Sequence, residues 1–314
     1  MTNINTNFKE AISSEIFTVI SKASKLLSID SYVIGGFVRD FFLKRGSAKD
    51  IDIVAVGSGI ELAEKVASLL SNKPKVQVFK TYGTAMLRYK DVEIEFVGAR
   101  KESYSEESRN PEVSEGSLAD DQNRRDFTIN ALALSLNELN FGDLLDPFNG
   151  IDDIVKKNIK TPLDPDITYS DDPLRMMRAI RFATQLNFTI ESNSLQAIAK
   201  NSDRLQIITR ERVIDELHKI LMSAKPSIGF LHLEATGLLS QILPELIDLK
   251  GVEEVEGQKH KDNFYHTLEV VDNLCKNSND LWLRWAALLH DIGKAPTKKF
   301  KPPVGWTFHN HEFV

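Results

Sequence analysis

The first half of the chain mixes helical and strand spacing of its hydrophobic positions. Residues 8–28 and 60–71 repeat apolar side chains every three or four positions, which predicts two amphipathic helices. Short β-branched or aromatic runs bounded by Gly, Pro, Asn and Lys predict strands, at 32–34, 51–56, 76–79, 84–89 and 92–97. The polar stretch 101–121 lacks apolar periodicity and predicts a mobile loop. We therefore expect an α+β fold built on a small mixed sheet.

The pattern changes after the segment DPFNGIDDI at 146–154. Helical spacing dominates from there to about residue 290, and strand signals become sparse. We therefore expect four parts: an N-terminal helix at 1–29, a sheet-containing part at 30–155, a helical region at 156–250 and a further helical part at 251–314.

Composition and charge add broad limits. The 314 residues are 42% apolar and 27% charged, as in ordinary globular proteins, and the single Cys275 excludes an internal disulfide framework. We find no signal peptide and no apolar run of about 18 residues, so we expect a cytoplasmic protein without a membrane partner. A formal net charge of −6 argues against indiscriminate nucleic-acid binding, but local clusters of Arg and Lys leave the partner open. The sequence gives no indication of oligomeric state.

Two aspartates, Asp50 and Asp52, lie one residue apart in a predicted strand. Residues i and i+2 of a strand project from one face, so the two carboxylates point together. Such oxygen ligands suit Mg²⁺, which takes one or two carboxylates and completes its shell with water and phosphate oxygens. Glu93 or Glu95 could add a third carboxylate from a neighbouring strand. The alternative is an ordinary exposed D-x-D sequence without a metal.

The residues before this strand favour the metal hypothesis. Gly35 and Gly36 follow a short apolar run and permit close approach of backbone to a ligand. The start of the next helix presents N–H groups and a positive dipole to a phosphate. Arg39 adds a forked donor suited to the same anion. Together with the two aspartates, these residues predict one triphosphate site.

Five ordered motifs over about residues 30–225 resemble the class II tRNA nucleotidyltransferase and bacterial poly(A) polymerase family. They are GGFVRD with DIDIV, RRDFTINALAL, DPFNGIDDI, DDPLRMMRAIRFA and RERVIDELHKIL. The resemblance implies that 30–155 is a nucleotidyltransferase head of the DNA polymerase beta type and that 156–250 is a helical neck and RNA-binding region. It also implies Mg²⁺ as cofactor, with CTP, ATP and the 3′ end of tRNA as partners.

The resemblance assigns roles to residues of the predicted head. Asp50 and Asp52 become the catalytic metal ligands, and Glu95 becomes the third carboxylate. The residues implied to contact the nucleotide or to order its site are Gly35, Gly36, Arg39, Arg125, Asp126 and Asn130. Without the resemblance, the segment RRDFTINAL would be interpreted as a core helix with Asp126 as its cap. Asp126 can both cap a helix and contact the nucleotide or order its site.

The segment DDPLRMMR carries a candidate base reader. Pro173 suits the first turn of a helix, which places Asp172 and Arg175 three residues apart on one face. Asp only accepts hydrogen bonds and Arg only donates them, which complements the pairing edges of C and A and mismatches U and G. The resemblance gives this pair the role of an amino-acid template and places Arg178 beside the same nucleotide. The alternative is a surface salt bridge, and Asp171 departs from the Glu usual in the family.

A second constellation lies near the C-terminus. His266, the doublet His290-Asp291 and His311 resemble the metal ligands of an HD domain, a helical fold that often hydrolyses phosphoesters. Imidazole with carboxylate suits a divalent transition metal better than Mg²⁺. The distant Asp that usually completes such sites is absent before Val314, so we expect a partial, truncated HD domain over 251–314. An active phosphohydrolase and a structural role in holding tRNA both stay open.

Taken together, these patterns predict an enzyme that transfers nucleotides without a template. We expect CCA addition or repair on tRNA from CTP and ATP by a two-Mg²⁺ mechanism. A poly(A) polymerase, or an enzyme that adds only CC or only A, shares all five motifs and is the alternative. An HD-type phosphohydrolase with a degenerate head is the alternative of another class, and the intact pair of Asp50 and Asp52 disfavours it.

Overall fold

The computed structural model describes residues 7–46, 50–105 and 108–314, and the side chains outside 102–112. The chain divides into two compact units, Met1–Asp164 and Pro165–Val314. The finer boundaries expected from the sequence stay predictions. Within the described residues, no helix is both long enough and apolar enough to cross a membrane.

The first unit combines strands and short helices. Its helices are α1 Glu15–Leu27, α2 Gly36–Phe42, α3 Gly59–Leu69, α4 Leu118–Asn123 and α5 Gly150–Lys156. Its strands are β1 Asp30–Ile34, β2 Asp50–Val56, β3 Val76–Phe79, β4 Thr84–Tyr89, β5 Val92–Gly98, β6 Arg100–Ser105, β7 Ser108–Glu115, β8 Ala133–Ser135, β9 Leu144–Leu145 and β10 Asn158–Ile159. Short 3-10 turns cover Lys9–Ile12, Lys80–Tyr82, Thr128–Asn130 and Glu138–Asn140. The five predicted strands and the α+β class are confirmed.

Two predicted elements differ from the structure. The helix expected over 8–28 is interrupted before α1, because Ser14 adopts an extended backbone with ψ 142°. Residues 106–107 of the stretch 101–121, expected as a loop, lie outside the described residues, and the rest of the stretch contains most of the antiparallel pair β6 and β7 and the helix α4. The loop prediction is wrong because backbone hydrogen bonds form a strand pair without any alternation of apolar side chains, which was the signal sought.

The main sheet has seven strands in the order β3-β4-β5-β2-β1-β8-β9. Strands β2 and β5 are parallel, whereas the other neighbouring strands in the sheet are antiparallel. The two parallel strands lie in the middle of the sheet, so their side chains meet those of β4 on one side and β1 on the other. This order makes β2 the central strand of the sheet.

The two faces of the sheet differ. Helices α1 and α3 cover one face, where Ile53, Ala85 and Phe96 are fully buried. On the opposite face, Leu118 of α4 packs with Tyr32 and other buried residues over one end of the strands. The side chains of Asp50 and Asp52 belong to that opposite face, beyond the end that α4 covers. The sheet therefore leaves its carboxylates open to solvent or ligand.

The second unit is mainly helical, as predicted. Its helices are α6 Pro165–Asp171, α7 Leu174–Leu186, α8 Ser192–Asn201, α9 Arg210–Leu221, α10 Pro226–Ala235, α11 Leu238–Ile242, α12 Pro244–Ile247, α13 Asn263–Cys275, α14 Leu281–Leu289 and α15 Lys294–Thr297. Short strands are β11 Thr189–Ile190, β12 Glu254–Val255, β13 Gln258–Lys259, β14 Lys299–Lys301 and β15 Gly305–Thr307. Two 3-10 turns cover Ser202–Ile207 and His311–Phe313.

Two buried arginines tie the helices of this unit together. Arg181 of α7 pairs with Glu216 of α9 at 3.1 Å, with both side chains nearly buried. Arg284 of α14 is only 2% exposed and donates to the carbonyl oxygens of Leu221 and Ser223 at 2.8 and 2.9 Å. A buried guanidinium requires oppositely charged or hydrogen-bonding partners close by. These contacts therefore fix α9 against both α7 and α14.

Candidate active site

The carboxylates of the head lie in register on the parallel strands β2 and β5. Asp50 pairs with Glu93, and Asp52 pairs with Glu95. Paired residues on neighbouring strands project from the same face. Between them, Ile51 is buried on the helix-covered face. The structure thus brings the two predicted aspartates beside both candidate third carboxylates, and Glu95 is the one level with Asp52.

A sharp turn at Gly35 lies close to both the carboxylate of Asp52 and the guanidinium of Arg125. Gly35 has φ +83°, a conformation that side chains disfavour. A Cβ at this position would lie 3.0 Å from Nη1 of Arg125 and 3.4 Å from Oδ2 of Asp52. The absence of a side chain therefore lets the β1–α2 turn, Arg125 and Asp52 approach one another. Gly36 begins α2, which has only seven residues. We therefore expect an anion to bind at the Gly35 turn and at the guanidinium of Arg125.

Arg39, Asn130 and Asp126 form a buried chain of hydrogen bonds. Arg39 donates from Nη1 to Oδ1 of Asn130 at 2.7 Å, and Asn130 donates from Nδ2 to Oδ1 of Asp126 at 2.9 Å. Asp40 accepts from Nε of Arg39 at 2.9 Å. The three residues predicted at the nucleotide are thus brought together. Their mutual hydrogen bonds favour the site-ordering role for Asp126 and Asn130.

The alternative interpretation of RRDFTINAL as a core helix is wrong. The segment folds as the single 3-10 turn Thr128–Asn130 followed by β8. Asp126 accepts from the N–H of Phe127 at 2.8 Å in addition to its bond with Asn130. Side chains that bond nearby backbone compete with helix formation, which explains the short turn. Asp126 is therefore a turn residue and not the cap of an α-helix.

Asp121 is a site residue that the sequence reasoning missed. Its carboxylate is fully buried and binds two guanidinium groups at once. Oδ2 accepts from Nε and Nη2 of Arg125 at 3.2 and 3.1 Å, and Oδ1 accepts from Arg124. Forked pairs of this kind fix the plane of a guanidinium. Asp121 thus leaves Nη1 of Arg125 directed at Gly35, and its i,i+3 and i,i+4 spacing from the arginines was the available signal.

The electrostatics of the carboxylate group favour a cation. Burial, and next the negative charge of Asp52, raise the pKa of Glu95 above its ordinary value. Arg100 and a hydrogen bond from Thr84 act in the opposite direction with smaller effect. Like charges that repel in a partly buried site are relieved by a bound cation. Hard carboxylate oxygens fit a divalent ion such as the predicted Mg²⁺.

The predicted base reader lies at the start of α7. Pro173 occupies the position before the helix, and the N–H of Leu174 donates to Oδ1 of Asp172 at 3.2 Å. Arg175 is 9% exposed, and its N–H donates to the carbonyl oxygen of Asp172 at 2.9 Å. One turn further, the guanidinium of Arg178 lies 5.5 Å from the ring centre of Phe182. The structure therefore brings the predicted pair together on one helical turn.

Three residues of the second constellation lie together. Ligand atoms of His266, His290 and Asp291 all fall within 4.8 Å of one another. His266 belongs to α13, and His290 and Asp291 follow α14 directly. His311 lies outside this group of three, with Nε2 3.7 Å from Oδ1 of Asp291. The four predicted residues are thus neighbours, and three of them have the spacing of a metal site.

Two neighbouring lysines contact candidate metal ligands of this second cluster. Lys294 donates to Oδ2 of the buried Asp291 at 2.7 Å, and Nζ of Lys261 lies 2.9 Å from Nδ1 of His266. Burial, followed by the charge of Lys261, lowers the pKa of His266. His290 directs Nδ1 to the carbonyl oxygen of Ala287, so its Nε2 faces Asp291 at 3.2 Å. The donor set of imidazole and carboxylate fits a transition metal.

Comparison with known protein families divides the chain into three matched regions. Residues 31–160 match the poly A polymerase head domain, 187–249 match the probable RNA and SrmB-binding site of polymerase A, and 263–314 match the HD domain. These matches agree with the mixed first unit and the helical second unit.

Curated relatives and solved structures agree. An A-adding tRNA nucleotidyltransferase of Deinococcus radiodurans is 40% identical over 63% of this chain and 46% of its own length. A CCA-adding enzyme of Bacillus velezensis is 34% identical over 85% of this chain and 61% of its own length. The solved structure of a tRNA nucleotidyltransferase with a primer tRNA and an ATP analogue aligns with TM-score 0.68 and 28% identity, over 86% of this chain and 75% of that chain. The present chain spans between 22% and 65% of the length of these and other curated relatives.

The fold and the matched regions define a poly A polymerase head domain followed along the chain by a helical region. The chain belongs to the class II tRNA nucleotidyltransferase and bacterial poly(A) polymerase family, and its last part is an HD domain.

Proposed function

We propose that this chain transfers nucleotides from CTP and ATP to the 3′ end of tRNA without a template. The observation that carries the proposal is the position of Asp52, which lies level with Glu95 and beside the Gly35 turn and Arg125. Carboxylates for a divalent ion and a guanidinium for phosphate thus meet at one point of the head. Relatives named as CCA-adding and A-adding enzymes support this substrate class.

Different residues of the chain bind the metal, bind the triphosphate and orient the nucleotide. Asp50 and Asp52 would hold Mg²⁺, with Glu95 as the third carboxylate. When bound, the metal activates the terminal 3′-OH of the RNA and neutralises charge on the α-phosphate and the leaving pyrophosphate. Arg125, held by Asp121, binds the triphosphate near the Gly35 turn. Asn130 and Asp126 keep Arg39 oriented beside the nucleotide.

Choice of base belongs to α7 in this proposal. The carboxylate of Asp172 accepts from the amino group of C or A, and the guanidinium of Arg175 donates to the adjacent ring nitrogen. Uracil and guanine present the reverse order of donor and acceptor, which leaves buried polar groups unpaired at about 1 to 3 kcal/mol each. Arg178 lies one turn further along the same helix. The substitution Arg175→Ala should therefore relax discrimination against UTP.

Addition of A alone is a second candidate function. It is favoured by the relatives from Deinococcus radiodurans and Aquifex aeolicus, both A-adding tRNA nucleotidyltransferases, at 40% and 38% identity. The head and the base reader serve either reaction, since both transfer a nucleotide to a tRNA 3′ end. A poly(A) polymerase would use the same carboxylates.

One assay separates these functions. The protein is incubated with Mg²⁺ and labelled CTP or ATP on tRNAs that lack the last three, two or one nucleotides. CCA addition predicts C on the first two substrates and A on the third, whereas A addition predicts label from ATP alone. Long A tails without C would identify a polymerase. Absence of incorporation on every substrate would contradict nucleotidyl transfer itself.

The HD cluster supports a separate candidate, a metal-dependent phosphohydrolase. The observation behind it is the close group of His266, His290 and Asp291. Hydrolysis of a phosphomonoester to phosphate, or of a cyclic phosphodiester to a phosphomonoester, in the presence of Ni²⁺, Co²⁺ or Mn²⁺, lost in His290→Ala, would support it. Equal hydrolysis by wild type and variant would contradict it.

A further inference from the structure

The sheet face that carries the carboxylates continues outward across two more strands. Asp52 is level with Glu95 on β5, Glu95 with Met86 on β4, and Met86 with Gln77 on β3. The next row contains Asp50, Glu93 and Arg88. Side chains in register project from one face, so both rows lie on the face of the catalytic carboxylates.

The outer part of this face is exposed. Gln77 and Arg88 are exposed and Met86 is half-buried, whereas Leu87, which projects from the other face of β4, is 1% exposed. Phe79, at the end of β3, is level with Thr84 on the same face and is 44% exposed. We call the set of Gln77, Phe79, Met86 and Arg88 the β3–β4 surface. It combines an aromatic ring, a thioether, an amide and a cation.

The reaction geometry decides which substrate lies on each side of the carboxylates. Attack on the α-phosphate is in line, so the attacking 3′-OH and the leaving pyrophosphate lie on opposite sides of the phosphorus. The anion-binding groups, Arg125 and the Gly35 turn, lie beside β1. In the proposed reaction, the pyrophosphate would therefore leave on the β1 side of Asp52, and the side of β5, β4 and β3 would remain for the attacking RNA.

We propose that the last nucleotides of the acceptor RNA lie on the β3–β4 surface, with Arg88 bound to a phosphodiester and a base stacked on Phe79. This inference rests on the proposed nucleotidyl transfer and adds the location of the RNA strand. Single-stranded RNA binds to proteins through cations that follow its backbone and aromatic rings that stack on its bases. The β3–β4 surface supplies both at the open end of the site.

Charge explains why Arg88 is required there. Of the seven side chains in the two rows, Arg88 alone is positive and four are carboxylates. A phosphodiester that approaches the carboxylates is repelled at close range unless a cation lies near it. Arg88 lies opposite Glu93, between the carboxylates and the edge strand. Arg88 can therefore neutralise a phosphodiester of the RNA just before the RNA 3′ end reaches the metal ligands.

The test compares Arg88→Ala with Lys90→Ala. Lys90 lies in the turn after β4, and its ammonium sits 5.0 Å above the ring of Tyr89, a residue of the helix-covered face. Both substitutions remove one positive charge from the same hairpin. Arg88→Ala should raise KM for tRNA about tenfold and leave KM for CTP unchanged. The slope of log KM against log salt should decrease by about 0.7 to 1. Lys90→Ala should change neither KM.

Phe79 is tested in the same way against its neighbour. Phe79→Leu removes the stacking ring, and it should raise KM for tRNA about fivefold or more. Val78→Ala changes the adjacent residue, which is level with Ala85 on the opposite face, and should leave both KM values unchanged. The melting temperature of each variant separates loss of the surface from loss of the fold.

Binding measured without catalysis separates this inference from the proposed function. Fluorescence anisotropy of a labelled tRNA that lacks its last three nucleotides gives a Kd for each variant. If wild type incorporates no nucleotide, the proposed function fails. The Kd values then still show whether tRNA binds to the β3–β4 surface. Weaker binding in Arg88→Ala and Phe79→Leu, with Kd unchanged in both controls, supports the proposal. Equal Kd and KM for tRNA in all variants, or a rise only in KM for CTP, would overturn it.

Discussion

Two clusters of acidic and basic groups differ in how their charge is balanced. In the first unit, the negative charge of Asp52 adds to burial in raising the pKa of Glu95, and Arg100 offsets only part of this. In the second unit, the buried Asp291 already binds Lys294 at 2.7 Å and faces His290 at 3.2 Å. A divalent ion entering the first cluster relieves repulsion, whereas one entering the second must displace a lysine.

The two clusters suit different metals although both contain carboxylates. Strand register in the head holds carboxylates at fixed spacing on an open face, which suits a hard ion that also binds phosphate oxygens. The second cluster combines imidazoles from two helical segments with one carboxylate, which suits a softer transition-metal ion. The head is therefore expected to bind its metal with the nucleotide, and the HD cluster to bind its metal alone.

The largest predicted effect is on Asp52. Asp52→Asn keeps the shape of the side chain and removes its charge, so it should reduce nucleotide incorporation by about a thousandfold or more through loss of the metal. Asp91→Asn, in the exposed turn before β5, removes the same charge and should retain incorporation. Initial rates of labelled CTP incorporation measure both. Comparable rates in the two variants would show that Asp52 is not a metal ligand.

The second prediction concerns pH. Because its pKa is raised, Glu95 takes up a proton at a higher pH than an ordinary Glu. Above that pKa the charged carboxylate lowers the stability of the fold, and this loss of stability disappears as the pH falls through the pKa. Metal binding requires the deprotonated form. Affinity for Mn²⁺ should therefore fall by up to about tenfold per pH unit below that pKa. Calorimetric titration from pH 4, below the ordinary pKa of a Glu, up to pH 8 measures this slope.

The control for the pH prediction is the neighbouring carboxylate. Glu95→Gln should flatten the dependence of Mn²⁺ affinity on pH, because the titrating group is gone. Glu93→Gln removes a carboxylate from the next row and should keep the wild-type slope. A wild-type slope in Glu95→Gln would assign the titration to another group.

The third prediction concerns the orientation of Arg125. Asp121→Asn weakens the forked pairing that directs Arg125 at Gly35, so KM for both CTP and ATP should rise by about fivefold, with a smaller change in kcat. Asp120→Asn changes the adjacent carboxylate, which caps α4 together with Ser117, and should alter only the melting temperature. If Asp121→Asn changes stability but neither KM, the residue is structural only.

The smallest predicted effect lies in the second cluster. Lys294→Gln removes the cation that binds Asp291, so Co²⁺ affinity should increase by about threefold. Lys298→Gln, which breaks the exposed pair with Glu253, serves as the control and should leave Co²⁺ affinity unchanged. Visible absorption of bound Co²⁺ reports the titration. Weaker binding in Lys294→Gln would mean that the lysine supports the site and does not compete for it.

Local patterns predicted much of the head. Alternation placed Asp50 and Asp52 on one strand face, and the structure confirms strand β2 with Ile51 and Ile53 buried on the other. The alternation of Asp50 and Asp52 depends on spacing within a few residues, which is visible in a sequence. The preference for Glu95 over Glu93 came from the family resemblance and not from spacing; it agrees with the register, and its role stays a prediction.

Contacts between distant segments could not be predicted in this way. Arg39 and Asn130 are 91 positions apart, and only the pairing of β1 with β8 brings them together. The polar strands β6 and β7 form through backbone hydrogen bonds, so no side-chain pattern marked them. Asp121 is a different case, since its helical spacing from Arg124 and Arg125 was visible but did not identify a buried carboxylate.

Binding of Mn²⁺ in the presence of a non-hydrolysable CTP analogue, detected by electron paramagnetic resonance, decides whether the head holds the catalytic metal. Wild type should bind Mn²⁺ together with the nucleotide, Asp52→Asn should lose this binding, and His290→Ala should retain it. Nucleotide-dependent Mn²⁺ binding that survives in Asp52→Asn would contradict the assignment of the metal to Asp50 and Asp52.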